Sequence, residues 1–248
     1  MRLPLLARTI HKWLGLLLGL QVVIWTLSGT YMVAVHIDII HGDHLIRTPP
    51  EPPIRVQGLV EPDALRQRFP DLQTLKLQTW MDRPVYVVQA TSGARLVDAR
   101  TGALLSPINE ATVRALAQRW MKQDVDIVKA ELLTDLPIEV QTRKPPLWRV
   151  EFEGWNKPTF YFAPSTGEFI SRRHELWRFF DFVWSLHIMD YVKRTDVNNP
   201  LLRVATLSAA FMTLSGAWLL LYAFPRRKRK KGPAPTAKRS ASQVKVEA

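Results

Sequence analysis

The histidines are the residues of this sequence that are best suited to hold a metal or a redox cofactor. There are six of them, and the chain contains no cysteine. Without cysteine the protein cannot form a disulfide, a thiolate zinc site, an iron–sulfur cluster or a covalently attached c-type haem. Of the redox cofactors, histidine-ligated haem b is therefore the one that the composition best permits.

Two long apolar segments place some of these histidines in or beside a lipid bilayer. Leu14–Val35 contains 22 residues without a charge, and Val204–Phe224 contains 21 more. Each is long enough to cross about 30 Å of hydrocarbon as a helix, at about 1.5 Å per residue. The sequence therefore predicts a membrane protein whose first partner is the lipid bilayer. The first segment is longer than the apolar core of a signal peptide, which favours a retained anchor.

The charge distribution predicts the orientation of the two spans. The net charge is +12, of which +8 lies after Phe224 and +3 before Leu14. Because basic residues accumulate on the cytoplasmic side of a membrane, both termini are expected in the cytoplasm. The nearly neutral middle is then expected in the periplasm of a bacterium, with the spans in the inner membrane. The basic run at 226–231 is expected to contact anionic lipid, and no nucleic acid partner is expected.

These segments predict the order of the domains along the chain. It is a cytoplasmic N-terminus (1–12), transmembrane helix 1 (13–35), a Pro-rich linker (36–56), two hairpin-rich units (57–122 and 123–174), an interfacial amphipathic helix (175–190), transmembrane helix 2 (201–224) and a basic, disordered cytoplasmic tail (225–248).

The middle of the chain is expected to form an α+β domain. Alternating residues followed by a Thr-Gly turn, at Thr101-Gly102 and again at Thr166-Gly167, are signals of hairpins. A helix is predicted at 109–120 with Asn109 as its N-cap. The expected strands are 75–80, 85–90, 94–98 and 103–105 in the first unit and 147–153, 159–163 and 168–171 in the second. No catalytic constellation is apparent in this domain, and its acidic residues are expected to be solvated at the surface.

Both ends of the chain carry motifs of a known family. His11–Gly29 begins with His-Lys-Trp-Leu-Gly-Leu and ends with Ser-Gly, while Leu186–Leu221 has Leu-His before the second span and Ser-Gly late in it. Together with the repeated hairpins, these segments resemble the PepSY-associated transmembrane family. The resemblance covers nearly the whole chain except the basic tail. It implies two transmembrane helices flanking an extracytoplasmic domain of two PepSY-like units.

The resemblance is compatible with two different functions. Members of the family include b-type haem-containing reductases that release iron from ferric siderophores, which implies electron transfer through haem b to a periplasmic acceptor. Those reductases resemble four-span proteins, so a homodimer or a partner membrane protein would complete a four-span bundle here. The alternative is a cofactor-free, membrane-anchored PepSY module that binds or restrains a periplasmic protein. The sequence has no nicotinamide or flavin domain, so a haem protein of this kind would receive electrons from another protein or a quinol.

The candidate haem ligands are His11 and His187, with His36 as a further candidate. On a helix, a line of small residues that includes Gly15 and Gly29 runs from His11 to His36. Such a line lets either another helix or the flat face of a porphyrin approach, and the sequence does not choose between them. His11 and His36 are about 37 Å apart at helical rise, which is too far for one haem. His187 can therefore pair with His36 or with its own copy in a second subunit, and His11 only with its own copy.

The remaining histidines give weaker signals. His41 and His44 could form a surface metal site with Asp38 and Asp43, but three-residue spacing in a polar loop is weakly specific. His174 follows two arginines and is expected to be exposed to solvent.

Overall fold

In sequence order, a long helix at each end of the described chain flanks a series of hairpins and shorter helices. The computed structural model describes residues 3–223. In this range the α-helices are α1 (Leu3–Ala34), α2 (Ile37–His41), α3 (Pro62–Arg68), α4 (Glu110–Trp120), α5 (Glu175–Ile188) and α6 (Pro200–Ala223). The β-strands are β1 (Leu72–Trp80), β2 (Arg83–Ala90), β3 (Gly93–Asp98), β4 (Ile127–Leu133), β5 (Leu147–Phe152), β6 (Thr159–Phe162) and β7 (Phe169–Arg173). The predicted basic tail at 225–248 lies outside the described residues.

Helices α1 and α6 are long and apolar enough to cross a membrane, over Arg8–Ala34 and Pro200–Leu221. Their apolar side chains are not covered by protein: Leu17 is 76% exposed and Leu214 is 70% exposed. The core helix of a soluble protein buries such side chains, so these two helices are suited to lipid. The two predicted spans are confirmed as helices, and α1 begins earlier than predicted, at Leu3 instead of residue 13.

The chain divides into two compact units. One consists of Gly19–Ala205, and the other of Met1–Leu18 together with Thr206–Ala248. The Gly19–Ala205 unit contains the candidate histidines His36 and His187, and the other unit contains His11.

The Gly19–Ala205 unit contains two antiparallel sheets, with strand orders β1-β2-β3 and β4-β5-β6-β7. The predicted α+β class with two hairpin-rich sheets is thereby confirmed. Strand β4 was not predicted, although Val128–Leu132 alternates apolar and polar residues. Its pairing with β5 shifts register between Ile127 and Lys129. The predicted strand at 103–105 was wrong, since only a single bridge forms there, between Val97 and Leu104.

The two sheets and α4 share the largest hydrophobic core of the domain. Its buried side chains include Val85 and Leu96 from the first sheet, Val113 and Leu116 from α4, and Val150, Phe152 and Phe160 from the second sheet. As predicted, Asn109 caps α4, because its Oδ1 accepts a 2.9 Å hydrogen bond from the backbone N–H of Thr112. The predicted boundary between units 57–122 and 123–174 therefore runs between two sheets that are packed into one core.

Candidate histidine sites

His187 lies near the C-terminal end of α5 and contacts α1. Its Nδ1 is 2.8 Å from the hydroxyl oxygen of Ser28. A Cβ built on Gly29 would be 3.7 Å from the Cε1 of the imidazole, so the ring lies directly against the helix. The indole N–H of Trp25 donates a 2.8 Å hydrogen bond to the backbone carbonyl of His187. Both the side chain and the backbone of His187 are therefore fixed to α1.

Further contacts hold α5 in this position. The ring of Tyr31 on α1 packs edge-on against Phe179, with the ring centroids 5.2 Å apart. After α5, the carboxylate of Asp190 accepts hydrogen bonds from the backbone N–H groups of Asp196, Lys193, Thr195 and Val192. These bonds lower the pKa of Asp190 to about 2, so the carboxylate is charged and keeps the turn closed at neutral pH.

His11 lies on α1 and contacts α6. Its Nδ1 is 2.9 Å from the hydroxyl oxygen of Ser215. A Cβ built on Gly216 would be only 3.0 Å from the Cε1 of His11, which is closer than side chains normally pack. At Gly15, one turn further along α1, a Cβ would be 3.6 Å from the sulfur of Met212. Glycine at 216 is therefore needed for the imidazole to approach α6 this closely.

His36 belongs to neither of these arrangements. It is the N-cap of α2, where its Nδ1 accepts a 3.4 Å hydrogen bond from the backbone N–H of Asp38, and its side chain is 71% exposed. At Gly19, one turn beyond Gly15 on α1, an added Cβ would have nothing within 4 Å. Of the three candidate histidines, His187 and His11 each contact a Ser-Gly pair, whereas His36 lies at the surface.

The prediction that His174 is exposed was wrong. It is fully buried at the junction of β7 and α5, where its Nδ1 accepts a 3.3 Å hydrogen bond from the backbone N–H of Trp177 and caps α5. A Cβ on Gly42 would be 3.0 Å from the ring, and the ring of His44 lies 6.0 Å away. Burial, and then the neighbouring His44, lowers the pKa of His174, so its imidazole is neutral at neutral pH.

Because His174 is buried and neutral, we expect the protein to lose stability in mild acid. The unfolded chain takes up a proton on His174 at about pH 6.5, whereas the folded chain resists it, so stability falls as the pH decreases below that value. Each unit between the two pKa values is equivalent to about 1.4 kcal/mol. In the variant His174→Asn the side-chain oxygen of asparagine replaces Nδ1 as the capping acceptor, and the titration is removed. We expect the melting temperature of the wild type to fall between pH 8 and pH 5 by a few degrees more than that of H174N.

The matched control for this measurement is His36→Asn, which replaces the exposed histidine cap of α2. H36N should keep the pH dependence of the wild type. Equal pH dependence in the wild type and H174N would contradict the role of His174.

The expectation that the acidic residues of this domain lie at the surface was also wrong for Glu139. Its side chain is only 8% exposed and pairs with Arg178 of α5, with Nε 2.7 Å from Oε2. Its Oε1 accepts hydrogen bonds from Arg178 and from the hydroxyl of Tyr161. Burial alone raises the pKa of Glu139, but the bonds from Arg178 and Tyr161 outweigh it and hold the pKa below its usual value. The charged pair therefore ties the start of α5, the helix that carries His187, to the segment between β4 and β5.

The structure also bears on the surface metal site considered at His41 and His44. Among residues 3–223 there is no group of three or more histidine, cysteine, aspartate or glutamate side chains that could hold a metal ion. Arg172 lies beside these residues. Its guanidinium donates hydrogen bonds to the carbonyl oxygen of His41 and to the carboxylate of Asp43. The carboxylate of Asp43 is therefore paired with Arg172, and this ion pair joins the loop to β7.

Comparison with known proteins yields one match. A family model described as the PepSY-associated TM region matches residues 8–245, which is nearly the whole chain. Neither the curated proteins nor the solved structures contain a match.

Proposed function

Because the chain belongs to the PepSY-associated TM region family, we propose that this membrane protein transfers electrons through haem b to a periplasmic acceptor. His11 and His187 are the residues that would bind the haem iron. Bound haem would supply one-electron transfer at a potential set by its axial ligands and surroundings.

The observation that supports this proposal is the arrangement of the two imidazoles. In both imidazoles, Nδ1 forms a hydrogen bond with a serine hydroxyl, of 2.8 Å for His187 and 2.9 Å for His11. Neither Nε2 has a hydrogen-bond partner within residues 3–223. A metal-ligating histidine has this arrangement, with one ring nitrogen held by a neighbouring group and the other directed to the metal. The side chains present therefore fit a haem ligand.

The number of ligands supports a homodimer. Each site provides one imidazole, and a haem b held by two histidines would need one more. The second ligand at each site would be the same histidine of a second copy of the chain. Such a dimer has four spans, as the resembled reductases do.

The charge distribution supports the direction of transfer. The basic residues flanking the outer ends of the two spans favour cytoplasmic termini, in the inner membrane of a bacterium. The two-sheet domain would then lie in the periplasm and receive the acceptor, for which the family resemblance favours the ferric ion of a siderophore complex. Electrons would enter from a membrane quinol or a cytoplasmic protein.

The test is the visible spectrum of the purified protein in mild detergent, before and after dithionite. A sharp α-band near ~560 nm on reduction, with about one haem per chain, is expected for bis-histidine haem b. A protein that is folded but colourless, and stays colourless after haem is added, would overturn the proposal. The cofactor-free module that binds a periplasmic partner would then be the better account of the family membership.

A further inference from the structure

The tetrapeptide Thr-Leu-Ser-Gly occurs twice, once in each membrane-spanning helix. It is Thr26–Gly29 in α1 and Thr213–Gly216 in α6. Each copy is contacted by one candidate histidine, which bonds to the serine and lies against the glycine. The same local arrangement is thus built twice from distant parts of the chain.

The hydroxyl hydrogen of each serine is already used within its own helix. The Ser28 hydroxyl donates a 2.7 Å hydrogen bond to the carbonyl of Ile24, and the Ser215 hydroxyl donates one of 2.8 Å to the carbonyl of Met212. A hydroxyl has one hydrogen to donate, so its oxygen can only accept from the imidazole. The carbonyl, the hydroxyl and the imidazole are all satisfied together when the proton is on Nδ1, and this tautomer leaves the lone pair of Nε2 free.

From this geometry we propose that Ser28 and Ser215 are positioning residues for haem ligation. They hold His187 and His11 in the tautomer protonated on Nδ1 and fix the direction in which Nε2 points. The inference rests on the proposed function, since the group that Nε2 meets is the haem iron. Partners of this kind increase the basicity of a ligating imidazole, and their loss typically reduces metal affinity 10- to 100-fold.

The threonines of the same tetrapeptides provide matched controls. Thr26 and Thr213 also donate to carbonyls of their own helix, at 2.9 Å in both cases, and their hydroxyls are not bonded to either histidine. Thr26→Val and Thr213→Val therefore remove a hydroxyl from the same turn without touching the imidazole. Ser28→Thr and Ser215→Thr keep the hydroxyl and serve as the conservative variants.

The first measurement uses the full-length protein without haem, labelled with ¹⁵N-histidine and studied by NMR in detergent. His11 and His187 of the wild type should show the proton on Nδ1, and T26V and T213V should show the same. S28A should lose this preference at His187 alone, and S215A at His11 alone. A proton on Nε2 of either histidine in the wild type would overturn the inference.

The second measurement is haem titration with determination of the midpoint potential. S28A and S215A should each weaken one of the two haem sites 10- to 100-fold and raise its midpoint potential, while the threonine variants resemble the wild type. S28T and S215T should restore the affinity. If the wild type binds haem and S28A and S215A bind it equally well, the inference fails and the proposed function stands. If the wild type binds no haem, the proposed function fails, and the role in haem ligation fails with it.

Discussion

Replacing Glu139 with glutamine is expected to lower the melting temperature of the protein by about 5–10 °C. The glutamine has nearly the same shape, but it removes the negative charge that faces Arg178. Loss of one partner of a fully buried ion pair costs about 3–5 kcal/mol. Because Arg178 is 26% exposed and water can reach it, we expect about 2–3 kcal/mol here.

Glu175→Gln is the matched control for this prediction. Glu175 contacts the same arginine, with its Oε1 3.2 Å from Nη1, but its side chain is 43% exposed. An exposed ion pair contributes less than about 1 kcal/mol, so E175Q should shift the melting temperature by only a few degrees at most. Equal shifts for E139Q and E175Q would contradict the assignment of the buried pair.

The pH dependence gives an independent check on Glu139. Its folded pKa lies below the usual value of 4.5, so its contribution is fully present above pH 4.5 and is lost as the pH falls through the folded pKa. The difference in melting temperature between the wild type and E139Q should therefore be constant near neutrality and shrink in acid. A difference that does not depend on pH would mean that the charge of Glu139 is not what stabilises the fold.

The sequence was sufficient for most elements of this fold, though not for β4, because most of their signals are local. Long uncharged segments, alternating strands, Thr-Gly turns and the Asn109 cap can each be recognised within a few residues. Burial of single polar residues depends on how distant elements pack. His174 was expected at the surface because two arginines precede it, yet the junction of β7 and α5 turns its ring inward. Glu139 pairs with a residue 39 positions away, which no local pattern reveals.

The same holds for the candidate histidines: local motifs identified the histidines themselves, but not the distant residues that they contact. Family motifs and position at the ends of the spans were enough to select His11 and His187. Their serine partners are 204 and 159 residues away in sequence and become visible only in the packed helices. The one signal that could have identified them is the repeated Thr-Leu-Ser-Gly, which places the same hydroxyl and the same glycine in both spans.

Removing either candidate ligand is expected to reduce the haem content by about half. If His187 and His11 each hold one of two haems in a homodimer, His187→Ala and His11→Ala should each lower the content from about one haem per chain to about half, and the double variant should bind none. His36→Ala should keep the wild-type content, because His36 caps α2 at the surface. The measurement is the absorbance of reduced haem per protein, on samples whose melting temperatures match the wild type.

Addition of imidazole then distinguishes the loss of a ligand from the loss of structure. Each alanine variant keeps its Ser-Gly pair and gains a gap where the ring lay, so free imidazole should enter the gap and bind the iron through one nitrogen while the serine holds the other. Haem content should therefore recover in H187A and H11A when imidazole is added together with haem. Unchanged haem in both single variants without imidazole would show that neither histidine is a ligand. Recovery in neither variant would show that the residues hold the helices together and not the cofactor.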